Sequence, residues 1–216
     1  MSKDSGSSLK KIKSIAPSAQ SQELLEFLPQ AKASLAVQGF ELSIHEQAIS
    51  PAELPFFASP LTVRQKDLLD AISEYDSSII WALRGGYGAA QLVRQCMDIY
   101  PQTPKTIIGF SDITALHVLF NQHYVLPSIH GPNLSTCYSR GLDFSIFFPI
   151  LSGEETTYAV RPFNQAATNC EPIKAPIFGG NLTVLTTLIG TKLHPLTGGK
   201  ILLLEDVHEK GYQLHR

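Results

Sequence analysis

The stretch Thr106-Ile107-Ile108-Gly109-Phe110-Ser111-Asp112-Ile113-Thr114-Ala115-Leu116-His117 decides the fold. It predicts a buried strand, a tight turn and a helix start. The apolar run closes at Gly109 and an amphipathic segment opens at Asp112. A serine at such a corner is lifted out of a sheet, and its hydroxyl lies near the positive end of the new helix. That placement suits an attacking nucleophile. It suits a plain helix N-cap equally well, because Ser is a favoured cap residue.

Working outward, strands and helices alternate on both sides of this corner. Lys11 to Ala16 reads as a first strand ended by Pro17-Ser18. Glu23 to Val37 has helical apolar spacing, with Gly39 where a C′ glycine belongs and a kink or late start expected at Pro29. Phe40 to Ile44 is a second strand, and Pro51 to Pro60 an irregular loop. Helices are expected over Thr62–Ser73 and Gly88–Tyr100, with a short apolar strand over Ser78–Leu83 between them. The alternation predicts an α/β domain, a three-layer, mainly parallel sheet of flavodoxin-like type. Ligand sites in such sheets lie beyond the carboxyl ends of the strands, where the turns after Leu83 and Ile108 both fall.

From about Thr156 the character changes. Strand-like pieces such as Thr157-Tyr158-Ala159-Val160 alternate with Pro- and Gly-rich turns. A helix-like stretch to Ile189 and a strong strand over Lys200–Leu204 follow. The expected organisation is a disordered 1–10, an α/β nucleophile domain over 11–155, and a linker with the start of a smaller mixed-strand domain over 156–216.

Composition narrows the function. The chain has 216 residues, 44% hydrophobic and 17% charged, enough for a full core. A net charge of −2 gives no electrostatic reason to expect nucleic acid or an anionic membrane as partner. No stretch approaches the ~20 apolar residues of a membrane span, and no signal-peptide core follows the basic start. Cys96, Cys137 and Cys170 are far apart and form no CxxC pair, so a reducing cytoplasm is expected, without a disulfide framework. No His, Cys, Asp or Glu cluster has metal-ligand spacing, so neither metal nor cofactor is expected.

Arg84-Gly85-Gly86-Tyr87-Gly88 follows a strand and opens a helix. Its glycines fit an anion or oxyanion cradle, or simply a close strand-to-helix turn. It lacks a P-loop lysine and the GxGxxG spacing, which argues against a nucleotide site. An N–H from Gly86 and one from Asp112 could converge on a carbonyl attacked by Ser111. Glu205 and Asp206 are the best carboxylates for orienting a base, or one of them caps the next turn. Of the seven histidines none stands out as the base; His117 and His130 read as packing or hydrogen-bonding residues.

Together the motifs resemble the LD-carboxypeptidase family of serine peptidases, which includes muropeptide LD-carboxypeptidases and microcin C immunity peptidases. The matching pieces are Ile15-Ala16-Pro17-Ser18, Ala58 through Arg64 to Leu68, Arg84 to Gly88, and Ile108 to Leu116. Ile129-His130-Gly131-Pro132, Gly179-Gly180-Asn181-Leu182 and Leu203-Leu204-Glu205-Asp206 with Tyr212 continue in family order. The resemblance implies a Ser-Glu-His triad in which Ser111 attacks and Glu205 orients the histidine, with an oxyanion hole near Gly86 and Asp112. It implies cleavage of the amide between an L-centre and a terminal D-residue, typically D-alanine of a murein tetrapeptide in cytoplasmic cell-wall recycling. It also implies a muropeptide or related small peptide as partner, and a homodimer. The family's catalytic histidine lies well beyond the Glu motif, whereas this sequence ends eleven residues after Glu205. The expectation is therefore a C-terminally shortened member, impaired alone or completed by a separate fragment, with an apolar edge left on the second domain. The alternatives are a catalytically dead muropeptide-binding module and a microcin-type acyl-amide hydrolase.

Overall fold

A computed structural model of the chain describes residues 9–19, 23–49, 54–154, 156–157 and 159–215. Five short strands, β1 (Lys10–Ile15), β2 (Phe40–Ile44), β3 (Ser77–Ala82), β4 (Thr106–Gly109) and β5 (Ser128–His130), form one sheet in the order β2-β1-β3-β4-β5. Every pairing is parallel, with Ile12 beside Leu42 and Ile79, and Ile108 beside Trp81 and Ile129. The chain turns one way from β1 to β2 and the other way from β1 to β3, so a crevice opens at the carboxyl ends.

Apolar runs with no polar face dictate a sheet covered on both sides. Ile79, Trp81 and Leu83 alternate with Ile80 and Ala82 along β3 and just beyond it, and all five are buried. The first set packs with Phe27, Ala31 and Leu35 of α1 (Glu23–Val37) and with Phe144 and Phe147. The second packs with Leu68 and Ile72 of α2 (Leu61–Ser73), Leu92 and Cys96 of α3 (Ala89–Cys96), and Leu116 of α4 (Thr114–Val118). Each of the buried Leu, Ile and Phe side chains contributes about 1.5–3 kcal/mol by leaving water.

The second unit is a parallel pair, β6 (Ile177–Asn181) and β7 (Ile201–Glu205), joined through the helix Leu182–Thr187. Phe178, Leu185 and Leu188 share the core of α4, so the pair is seated on the first sheet's helices. Along β7, Ile201 to Leu204 remain 38–51% exposed, the apolar edge expected from the sequence. No helix among the described residues is long and apolar enough to cross a membrane.

Several expectations change. Lys10 begins β1 and so is not part of a disordered leader; Met1–Ser8 lie outside the described residues. Helix α1 runs through Pro29. Helix α3 ends at Cys96 rather than Tyr100, and Pro101 keeps Tyr100 itself out of helical angles. Thr157, Ala159 and Val160 are not a strand, and Tyr158 lies outside the described residues. Val160 is 88% exposed, with no apolar surface to hold it extended.

Asp67 of α2 is buried under β1, where its Oδ2 accepts from the Ala16 N–H at 3.3 Å and its Oδ1 has no partner among the described residues. Burial, opposed by that N–H, pushes its carboxyl up to about 7 from 3.8. The folded state therefore holds a proton that the unfolded state has released, and this contribution to stability falls as pH rises from about 4 to about 7. Relative to wild type, Asp67→Asn should gain melting temperature progressively across that window and level off above it. A difference that stays constant with pH would contradict the assignment.

Candidate active site

The loops that follow β1, β3, β4 and β5 are stitched together at the carboxyl end of the sheet. Leu83 N–H donates to Ile15 C=O at 2.8 Å, Ser135 N–H to Leu83 C=O at 2.9 Å, and Gly131 N–H to Gly109 C=O at 3.0 Å. Ala19 N–H donates to Gly85 C=O at 3.3 Å.

Ser111 sits in this frame with φ of 63°, a left-handed conformation that a non-glycine residue rarely adopts. Phe110 before it is extended and stands at the N-cap position, and no side-chain cap bond is made there. The cap reading of Ser111 thus fails: its backbone is bent into a sharp strand-to-helix elbow. Such a conformation costs of order 1–3 kcal/mol and persists only where the surroundings impose it. Phe110 N–H donates to Asn133 Oδ1 at 3.3 Å, and the Ser111 backbone lies near enough to the Glu205 carboxylate to lower its pKa. A Cβ at Gly85 would stand 3.1 Å from Ser111 Cβ and 3.3 Å from its Oγ, so any side chain there would have to push Ser111 aside by a few tenths of an ångström.

Asp112, the next residue, turns inward. Its Oδ2 accepts from Ser18 Oγ at 2.6 Å and from the Ala89 N–H at 2.8 Å, capping α3 from a distant part of the chain. Burial raises its pKa, while Ser18, Ala89 and the charge of Arg64 oppose that rise. Arg64 is itself 1% exposed. Its guanidinium donates to Ser59 C=O (3.1 Å), Pro17 C=O (2.8 Å), Gly88 C=O (3.2 Å) and Gln91 Oε1 (3.0 Å), and stacks over Phe57. Gly86 has φ of 133°, and a Cβ there would meet Ala19 Cβ at 2.5 Å. Because Gly85 C=O points at Ala19, the trans peptide turns the Gly86 N–H the opposite way.

The two candidate carboxylates separate cleanly. Asp206 accepts from Thr183 N–H (3.0 Å), Thr183 Oγ1 (2.8 Å), Asn181 Nδ2 (3.1 Å) and Val207 N–H (2.8 Å). Burial pushes its pKa up, but those bonds outweigh burial and hold it below the usual carboxylate range. It is the turn-capping residue. Glu205 instead faces Ser111: burial raises its pKa, Asn181 and the Ser111 N–H lower it, and Asp206 raises it further. Its Oε1 is buried and has no hydrogen-bond partner among the described residues. The anchor that delivers Glu205 is the Asn181 N–H donating to Thr114 Oγ1 at 2.8 Å.

His117 is buried on α4, and its Nε2–H donates to Gly109 C=O at 2.9 Å. Burial, partly offset by that carbonyl, pushes its pKa down to about 4, so it is a neutral structural residue near neutral pH. Burial also lowers His130. Among the described residues no histidine hydrogen-bonds Ser111 Oγ or Glu205; His208 and His215 are exposed. The three cysteines are free, with Cys96 and Cys137 buried and each pushed up to about 12 by burial. Ser18 and Asn181 were legible only as parts of motifs, and Asn133 carried no signal of its own.

With that geometry in hand, comparison with known proteins is decisive. The profile of the LD-carboxypeptidase N-terminal domain matches residues 12–131, and that of the C-terminal domain matches residues 174–216. The chain belongs to the LD-carboxypeptidase family. It is 35% identical over 187 residues to a Rickettsia conorii protein named "putative carboxypeptidase", covering 83% of this chain and 59% of that one. It is 32% identical over 183 residues to the murein tetrapeptide carboxypeptidase of Pseudomonas aeruginosa, covering 76% of this chain and 57% of that one. The chain thus spans less than two thirds of these LD-carboxypeptidase relatives. Among solved structures, the muramoyltetrapeptide carboxypeptidase of Oxalobacter formigenes superposes with a TM-score of 0.72 at 26% identity, covering 94% of this chain and 68% of that one. An MccF-like protein of Bacillus anthracis gives 0.71 at 24% identity, covering 92% and 67%, and shows the same fold.

The Asp112 clamp can be tested by stability alone. Asp112→Ala strands the Ser18 hydroxyl, the Ala89 N–H and the Arg64 charge, and should cost about 2–5 kcal/mol in urea unfolding. Asp112→Asn keeps an acceptor oxygen and should cost less. An alanine variant as stable as wild type would show that the clamp carries no weight.

Proposed function

We propose that this chain carries the nucleophile site of a serine-type LD-carboxypeptidase that releases D-alanine from a murein tetrapeptide in cytoplasmic cell-wall recycling. The observation that supports this reading most is the elbow: Ser111 has φ of 63°, and its backbone lies beside the Glu205 carboxylate. In this reading Ser111 Oγ attacks the carbonyl carbon of the amide before the terminal D-residue. The resulting oxyanion is met by backbone N–H groups near Gly86 and Asp112. Collapse expels the D-amino acid as its amine, and water then hydrolyses the acyl-serine.

Both half-reactions need a group that takes the serine proton and returns it to the leaving amine. A histidine ring N–H would satisfy Glu205 Oε1, which is buried and otherwise without a partner. No described histidine stands there, so turnover by this chain rests on the elbow, the oxyanion donors and binding, and is slow. Residual catalysis of this kind still exceeds the water reaction by about 10³–10⁴ in proteases that lack a triad member. A muropeptide-binding module without turnover is the second reading, favoured by the same unpartnered oxygen.

The test is D-alanine release from a murein tetrapeptide, with wild type beside Ser111→Ala and Glu205→Ala. Slow release that is lost in Ser111→Ala and reduced by at least tenfold in Glu205→Ala is expected. Absence of release above the buffer rate from folded protein would contradict the enzyme and leave the binding module.

A further inference from the structure

A pocket of about 240 Å³ opens one residue from Ser111, lined by Phe110, His130, Pro132, Thr136, Arg140 and Leu142. It lies between the end of β5 and α5 (Leu134–Ser139), on the carboxyl edge of the sheet that carries the elbow. Its volume is below the roughly 300–1,000 Å³ of pockets that take drug-sized ligands, so it suits one residue rather than an extended peptide.

The lining is chemically one-sided. Arg140 is exposed at the pocket, and its guanidinium has no hydrogen-bond or ion-pair partner among the described residues. No Asp or Glu lines the pocket. His130 contributes a buried Nδ1 that also lacks a partner, and Thr136 adds a hydroxyl. Phe110, Pro132 and Leu142 supply an apolar wall. A cation and two further polar groups against an apolar wall describe a receptor for a small carboxylate with a short apolar side chain.

We propose that this pocket receives the residue to be released, and that Arg140 pairs with its free α-carboxylate. The proposal rests on the carboxypeptidase reading and deepens it, because it explains why only a terminal residue would be cut. One residue spans about 3.3–3.6 Å, so a peptide with its scissile carbonyl at Ser111 Oγ places its terminal carboxylate within a single residue of the serine, and the pocket is lined by the residue next to it, Phe110. Arg binds carboxylates through two parallel N–H···O bonds, and an uncharged terminus leaves that fork unmatched.

The experiment is calorimetric binding to the Ser111→Ala protein, which removes turnover, with two ligands: the murein tetrapeptide and its C-terminal carboxamide. The same titrations are run in Ser111→Ala/Arg140→Ala and Ser111→Ala/Arg140→Lys, with circular dichroism confirming the fold. The acid should bind at least tenfold more tightly than the amide. Arg140→Ala should erase that preference by weakening the acid alone, and Arg140→Lys should restore part of it. Equal affinity for acid and amide, a preference that survives Arg140→Ala, or an equal loss for both ligands would overturn the assignment while leaving the muropeptide reading intact. Binding of neither ligand to folded protein would overturn the muropeptide reading and this assignment with it.

Discussion

The buried carboxylate of Asp112 ties three distant segments to the position that follows Ser111. It accepts from Ser18, which closes the loop after β1, and from the Ala89 N–H, which starts the helix after β3. The guanidinium of Arg64 lies close enough to stabilise its charge and fastens the same loops through three carbonyls and Gln91. Parallel strands that end near one another do not by themselves fix the loops beyond them. In this protein a buried, hydrogen-bonded charge does so, and leaving either partner alone would be costly. The strained backbone at Ser111 lies between this clamp and the Glu205 carboxylate.

The second unit contributes through one polar contact set in a shared core. Phe178, Leu185 and Leu188 pack with α4, and the Asn181 N–H meets Thr114 Oγ1. Thr114 lies three residues after Ser111, so the helix that follows Ser111 also fixes where β6 ends. The parallel register then pairs Asn181 with Glu205, and the carboxylate comes to lie beside the Ser111 backbone. Asp206, one residue on, is consumed by the helix start at Thr183. Adjacent acidic residues thus part ways, Asp206 to the turn and Glu205 toward Ser111, because successive side chains leave a strand on opposite faces.

Much of this was legible in the sequence where the signal is local. Apolar runs too short for helices, separated by amphipathic stretches, gave the parallel α/β sheet, and turn chemistry placed Ser111 and the Gly85-Gly86 loop at its carboxyl edge. Local signals could not choose between a cap and a nucleophile at Ser111, since both want a small hydroxyl at a helix start and only the backbone angle separates them. The Asp112 clamp was hidden for another reason. Its partners lie 94 and 23 residues away, and nothing in the spacing of Ser18 or Ala89 announces them. Strand propensity failed at Thr157, Ala159 and Val160 because extended residues need a neighbouring strand or an apolar surface, and these have neither among the described residues.

The central claim is that the fold presents Ser111 as a reactive hydroxyl. Its most direct test is covalent: incubate the folded protein with a fluorophosphonate and locate the adduct by peptide mass spectrometry. The account predicts a single phosphonyl group on Ser111, absent from Ser111→Ala. A folded protein that stays unmodified at Ser111, or that is labelled to the same extent in the alanine variant, would contradict it.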